Sequence, residues 1–489
     1  MNLTLTNALR IAQTSLLNTG TRTSVLTDNI NGANDPNFSR RDASIAYGPN
    51  GEQTISIRRS ENAALLEQSL RASSAASAQE TLSSSVTRLN RLINGVDGEA
   101  SISTALTDLE NNMQMFAGDP GNEMLAATAV DSAREVADRL ATASGAVQLF
   151  RAEADREIEQ SVADVNSLLE QFKQVNDKVV IETRTNGDPT PWLDQRDALL
   201  KEISEHISVN AVTRDSNDMV LYTYQGVTLF ETNPRSVTFT PTPTYAPGKS
   251  GSSVRIDGVP LDAGAGASSS AAGNLAAWVQ LRDDIAVDAQ SQLDEIARGL
   301  VLAFAETDQS GGGGPQLTGL FDYGGGPGMP PAGAVYTGMA ATLSINSAFD
   351  AGVGGDPMLL RDGGANGASY VENANGEAGF SARLLNLVEN FGANYTTDAS
   401  AGIAGSYSVS TYAEASLGWL EDIRSTAADS ADRKSVLSER LTQELSNETG
   451  VNLDEEMSRL IELEQSYQAS ARIIAAVDEL FNALLNSIR

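Results

Sequence analysis

The chain has 489 residues, enough for two to four domains, and a formal net charge of −31, which leaves no basic surface for nucleic acid or anionic membranes. Cysteine is absent and histidine occurs once, which excludes disulfides, thiolate metal sites and zinc. Aromatic residues make up 5% while the 41% apolar share is rich in alanine, a mixture suited to long, narrow helical packing.

The first segment, "MNLTLTNALRIAQTSLLNTG", alternates leucine with polar residues. It has neither the basic n-region nor the apolar h-region of a cleaved secretory signal. The expectation is a cytoplasmic protein, or one that leaves the cell without such a signal. No run approaches the ~18 apolar residues of a membrane span. Apolar or small residues alternate in steps of four and three, and Leu5, Leu9, Ala12, Leu16, Leu26 and Ile30 carry the seam of an amphipathic coiled-coil helix. Thr19 and Thr23 weaken it near Gly20, and "NGANDPNF" ends it. Next, "SIAYGPNGEQTISIRR" predicts a hairpin around Gly48-Pro49-Asn50-Gly51.

An Ala/Ser-rich helix is predicted over 60–94, followed by a shorter one with Ile102, Leu106, Leu109, Met113 and Phe116 on one stripe. Residues 123–184 run almost without a breaker, and Ile158, Val165, Phe172 and Val179 recur every seven residues, as in a coiled-coil arm. From about 206 to 260 the composition turns to Val, Thr and Tyr, punctuated by Gly and Pro, which predicts a small β domain. Helix returns over 274–308, with Trp278, Leu281, Ile285, Leu293, Ile296, Leu300 and Phe304 on one side. Residues 311–378 read as loop with one short strand near "ATLSIN". Helix is predicted again over 379–391 and from 407 onward, with a break at Gly450.

The last helix starts at Asn452 with Glu455 three residues on, the spacing of a capping box. Leu453, Leu460, Tyr467, Ile474, Phe481 and Ile488 then fall at strict intervals of seven, and Met457, Leu463, Val477, Leu484 and Leu485 widen the stripe. As one helix, 453–488 would reach roughly 54 Å. The bland reading is a helix docked on its own domain. The matching N-terminal seam predicts instead that the two ends pair, and two helices cover only part of so wide a stripe. The remainder calls for a neighbouring molecule.

Positive signs of catalysis are missing. His206 sits where a helix runs into a strand, the place of a surface or hinge residue. The Gly-rich "SGGGGPQLTGLFDYGGGPG" has no lysine and no strand-to-helix phosphate loop, and "DSND" at 215–218 lacks the Gly and Glu of a calcium loop. No cofactor, metal or catalytic residue is assigned. Among 64 carboxylates a glycosidase-like pair stays open, and with it a secreted carboxylate-dependent hydrolase.

Both ends resemble the bacterial flagellar rod, hook and hook-associated axial proteins. In "ALRIAQTSLLNTGTRTSVLTDNINGANDPNFSRRD", Asn37-Phe38-Ser39-Arg40 stands where that family's turn usually reads Gly-Tyr-Ser-Arg. The end, "SNETGVNLDEEMSRLIELEQSYQASARIIAAVDELFNALL", is similar to the terminal segment of the hook-associated members. So are "PWLDQRDALLKEIS" and "GNLAAWVQLRDDIAVDAQSQLDEIARGLVLAF" to their inner helical stretches.

The resemblance implies a mainly α, elongated multi-domain fold with a β insertion. Its expected parts are 1–35 with 450–489 as a terminal coiled-coil tube, 36–205 with 271–310 and 340–449 as a helical core, 206–270 as an outer β domain, and 311–339 as loop. It implies a structural subunit of the flagellum that joins hook to filament in a ring of like subunits. Expected partners are the hook protein, a second junction protein on the filament side, and a cytoplasmic export chaperone that holds the C-terminal helix before type III export. The twelve seam residues named at the two ends are the expected assembly and chaperone interface. Another axial protein (a rod or hook subunit, or the second junction protein) or a surface adhesin stays open beside it.

Overall fold

The computed structural model describes residues 2–47, 53–95, 101–261 and 272–488. The fold is mainly α, with five small sheets among the described residues. Two compact units share the chain: the first takes Met1–Ala76, Asp164–Val237 and Arg433–Arg489, the second Ser77–Ala163 and Thr238–Asp432.

In the first unit, α1 (Asn2–Gly32) leads into an antiparallel hairpin of β1 (Arg41–Tyr47) and β2 (Gln53–Arg59), in register from Arg41 opposite Arg59 to Tyr47 opposite Gln53. The predicted turn Gly48-Pro49-Asn50-Gly51 lies outside the described residues. The later part of α4 (Glu123–Arg184) buries Val165, Phe172 and Val179 of the seven-residue repeat, with Leu169 beside them. Phe172 meets Phe230 edge to face at 5.1 Å. Phe230 ends β5 (Thr228–Phe230) of an antiparallel sheet with β4 (Met219–Thr223) and β3 (Val209–Thr213).

The sheet is fastened by α5 (Thr190–His206). Its buried Arg196 donates through Nη1 to Asn176 Oδ1 (3.1 Å) and to the carbonyl of Asn217 (2.6 Å), while Asn176 Nδ2 donates to Asp218 (2.8 Å). Burial lowers the Arg196 guanidinium to about 10. The "DSND" stretch is thus a tethered turn.

The second unit holds the larger apolar core. Ile102, Leu106, Leu109, Met113 and Phe116 of α3 (Ile102–Gly118) all point into it. Ser101 caps that helix by accepting from the Thr104 N–H, and the Asp119 N–H closes its last turn on Met115 and Phe116. Opposite lie Leu82 and Leu89 of α2 (Ala63–Asn94) and Leu293, Ile296 and Leu300 of α7 (Ala286–Ala303).

The predicted 274–308 helix is two pieces, α6 (Asn274–Gln280) and α7, joined by a π-helical turn at Leu281–Ile285. That turn aims the fully buried Arg282 at Asp155 (2.6 Å) and at the Ser252 carbonyl (2.8 Å). Two carboxylates after α7 each hold a loop, one at 310–314 and the other at 364–366. Asp308 accepts from the N–H groups of Ser310 and Gly314. Fully buried Glu306 accepts from those of Gly364, Ala365 and Asn366.

After the short helices α8 (Met339–Thr342) and α9 (Leu359–Asp362) and then α10 (Ala382–Gly392), the chain ends in α11 (Val409–Thr449) and α12 (Leu453–Ile488), broken at Gly450 as the sequence predicts. Asn452 caps α12 by accepting from the Asp454 and Glu455 N–H groups, while Glu455 turns to Arg459 (2.6 Å).

Candidate assembly interface

The helices α1 and α12 pair antiparallel within the first unit. Ser15 Oγ lies 3.1 Å from Ser470 Oγ, and Asn29 Nδ2 donates to Glu456 Oε2 at 2.8 Å. From 15 to 29 and from 456 to 470 both helices advance by the same two heptads, so the pairing keeps a coiled-coil period. Glu456, Leu463, Ser470 and Val477 are buried along α12, facing Ala12, Asn18, Thr19, Val25, Leu26 and Asn29 of α1. The seam alternates polar residues with apolar ones.

The sequence-predicted residues divide around it. Ala12 and Leu26 are buried, and Leu9, Leu16, Ile30, Leu460 and Ile474 are half-buried. Leu453 and Tyr467 are exposed, at 44% and 49%. The side chains of Leu5, Phe481 and Ile488 lie outside the described residues. The large apolar column Leu453, Leu460, Tyr467, Ile474 therefore flanks the seam, and the column three residues on fills it. Three residues turn a helix by about 300°, so the two columns stand about 60° apart. Met457, Ile461, Ile473 and Leu480 are exposed as well.

A polar network roots the pair. Glu456, 1% exposed, also accepts from Arg40 Nε at 2.8 Å. The Arg40 N–H donates to the Thr449 carbonyl (2.7 Å), just before α12 begins. Asn29 is held at both ends of its amide, accepting from the Arg41 N–H (2.9 Å) and donating to the Arg41 carbonyl (2.8 Å).

Arg41 and Arg59 face each other across the hairpin, a like-charge pair that is unfavourable by itself. Asp194 of α5 offsets it, 3.2 Å from Arg41 and 3.1 Å from Arg59, and Asp197 takes the other arm of Arg59 at 2.5 Å. Burial pushes the Asp194 carboxyl above its ordinary value against the pull of both arginines. Burial works to lower the Arg59 guanidinium, and the two aspartates outweigh it, raising the net value.

Sequence periodicity cannot find these residues, because none belongs to an apolar repeat. The available signal was the charged clusters "SRRD", "LDQRD" and "DEE".

Beside the root lies a cleft of about 1120 Å³ lined by the 32–39 turn, the start of α2, α5 and the α11–α12 turn. Its lining is mixed in charge, with Glu61, Lys201 and Glu439, and does not include His206, the half-buried last residue of α5. Among the described residues no three His, Cys, Asp or Glu side chains are grouped to hold a metal ion, and no helix is long and apolar enough to cross a membrane.

Comparison with known proteins places relatives on both parts of the chain. The model of the flagellar hook-associated protein FlgK helical domain matches residues 86–320, and that of the flagellar basal body rod FlgEFG protein C-terminal region matches 443–487. The chain is 22% identical over 439 residues to flagellar hook-associated protein 1 of Bacillus subtilis (strain 168), covering 84% of this chain and 80% of that protein. A solved structure, the flagellar hook junction protein FlgK from Burkholderia pseudomallei, matches with a TM-score of 0.43 at 22% identity, over 53% of this chain and 47% of that one.

Proposed function

The chain belongs to the flagellar hook-associated protein 1 family, and from that premise we propose that it is a structural subunit of the hook–filament junction, assembled through its paired terminal helices. The observation that carries the assembly reading is the exposed apolar column of α12. Pairing with α1 uses the mixed column of Glu456, Leu463, Ser470 and Val477 and leaves Leu453 and Tyr467 largely in water. Large apolar side chains repeated every seven residues along one helix face suit a helical neighbour.

The expected occupants are like subunits in a ring, with the hook protein on one side and a second junction protein on the other. Before export the same column suits a chaperone. On this reading the work of the protein is mechanical, with no catalysis.

Tyr467→Asp tests it. In the free chain Tyr467 is half in water, so α12 should stay paired with α1. In a junction the aspartate would forfeit about 1–2 kcal/mol of apolar burial and place an unpaired charge among helices, several kcal/mol more. Cells carrying it should release filament subunit into the medium, and normal filaments in that strain would overturn the reading.

A further inference from the structure

The column that α12 turns toward α1 is the less apolar of the two available. Leu453, Leu460, Tyr467 and Ile474 would make a stronger seam than Glu456, Leu463, Ser470 and Val477, and a turn of about 60° would bring them in. Hydrophobic burial alone therefore favours a different rotation from the one observed.

Three contacts oppose it. Glu456 is bonded to Asn29 at 2.8 Å and to Arg40 at 2.8 Å while 1% exposed. Asn29 is not free to follow a turning helix, since its amide is held at both ends by the Arg41 backbone, and the Arg40 backbone is anchored to the Thr449 carbonyl. Two heptads on, Ser15 and Ser470 meet at 3.1 Å. Buried polar and ionic contacts in a helix seam characteristically select one arrangement and add little net stability.

We propose that Glu456 is a positioning residue, the rotational key of α12, whose bonds to Asn29 and Arg40 keep the apolar column beside the seam and open to neighbours. Without the key, α12 turns, buries that column against α1 and closes its own assembly face. The consequence for assembly rests on the junction reading above. The rotation itself does not.

The absence of native cysteine makes the test clean. In the full chain, the pair Ser15→Cys with Ser470→Cys should close into a disulfide under mild oxidation, and the pair Ser15→Cys with Tyr467→Cys should close poorly. Adding Glu456→Leu should invert that order. Glu456→Gln keeps the side-chain length and one of the two acceptor oxygens, and should shift the order less than Glu456→Leu does. A Glu456→Leu chain that still closes 15–470 in preference, or closes neither pair, overturns the proposal, since the first shows no rotation and the second shows a lost contact instead of a redirected one. Inversion in the free chain together with normal hook–filament joining in cells would leave the key standing and sink the assembly reading.

Discussion

The neighbouring residues Leu463 and Tyr467 give opposite expectations for the free chain and for the assembled one. Leu463 is 5% exposed and sits in the seam, whereas Tyr467 is 49% exposed and sits beside it. Truncating a buried leucine to alanine costs about 2–5 kcal/mol, and a two-helix seam that can partly collapse belongs at the lower end, about 2–3 kcal/mol. Tyr467 keeps roughly half its surface in water, so Tyr467→Ala should cost the free chain about 1 kcal/mol or less.

Hydrogen exchange reads this directly, because local opening of α12 exposes its amides. With about 1.4 kcal/mol per factor of ten, Leu463→Ala should speed exchange over 456–477 roughly thirty- to a hundredfold, and Tyr467→Ala less than tenfold. Joining of hook to filament should show the reverse sensitivity at position 467. Equal acceleration by the two changes, or a larger one from Tyr467→Ala, would mean that the apolar column is the true seam in solution, and the reasoning would fail.

Two further expectations concern the second unit. Glu306→Ala leaves the Gly364, Ala365 and Asn366 N–H groups and the Arg383 guanidinium (3.3 Å) without their shared acceptor, which should destabilise that unit by about 3–5 kcal/mol in urea unfolding. A midpoint unchanged within error would refute the cradle. Asp294 is pushed up to about 6 by burial, against the pull of the Gly338 and Ala340 N–H groups and Gln290. Its unfolded value is about 3.9, so between those limits the native state binds a proton that the unfolded chain does not. The cost of the buried charge therefore falls with decreasing pH, by about 2–3 kcal/mol in full. Any stability advantage of Asp294→Asn over the native chain should shrink as pH drops from 7.5 to 4.5, and an advantage that stays constant or grows would contradict the sign.

Helix periods were legible where one face meets a thick core. The α3 stripe from Ile102 to Phe116 and the Ile158 to Val179 repeat are buried as their spacing predicts, because nothing but apolar packing chooses their orientation. The final helix was legible in extent, yet its orientation was not. Periodicity finds the most apolar column, Leu453 to Ile474, whereas the pairing follows Glu456, whose partners Asn29 and Arg40 come from the other end of the chain. The same limit hid Asp194, Arg59 and Glu306. Each is a charge whose purpose depends on what a distant turn delivers, and no local window contains that turn. The π-helical turn at Leu281–Ile285 is a further case, since its apolar positions read as ordinary helix and only the bond from Arg282 to Asp155 calls for the extra residue.

The pairing of α1 with α12 also sets an order of events. Asn29 and Glu456 are separated by 427 residues, and Ser15 and Ser470 by 455. A ribosome delivers α1 long before α12 exists, so the first helix waits without its seam while the rest of the chain is made. Closing a loop of that length costs roughly 5 kcal/mol by the logarithmic law, and less once the intervening units have folded and drawn the two helices near. The terminal pair is accordingly the last part of the chain to form. Until it does, both helices keep their faces uncovered, and that interval is when a holding protein has most to grip.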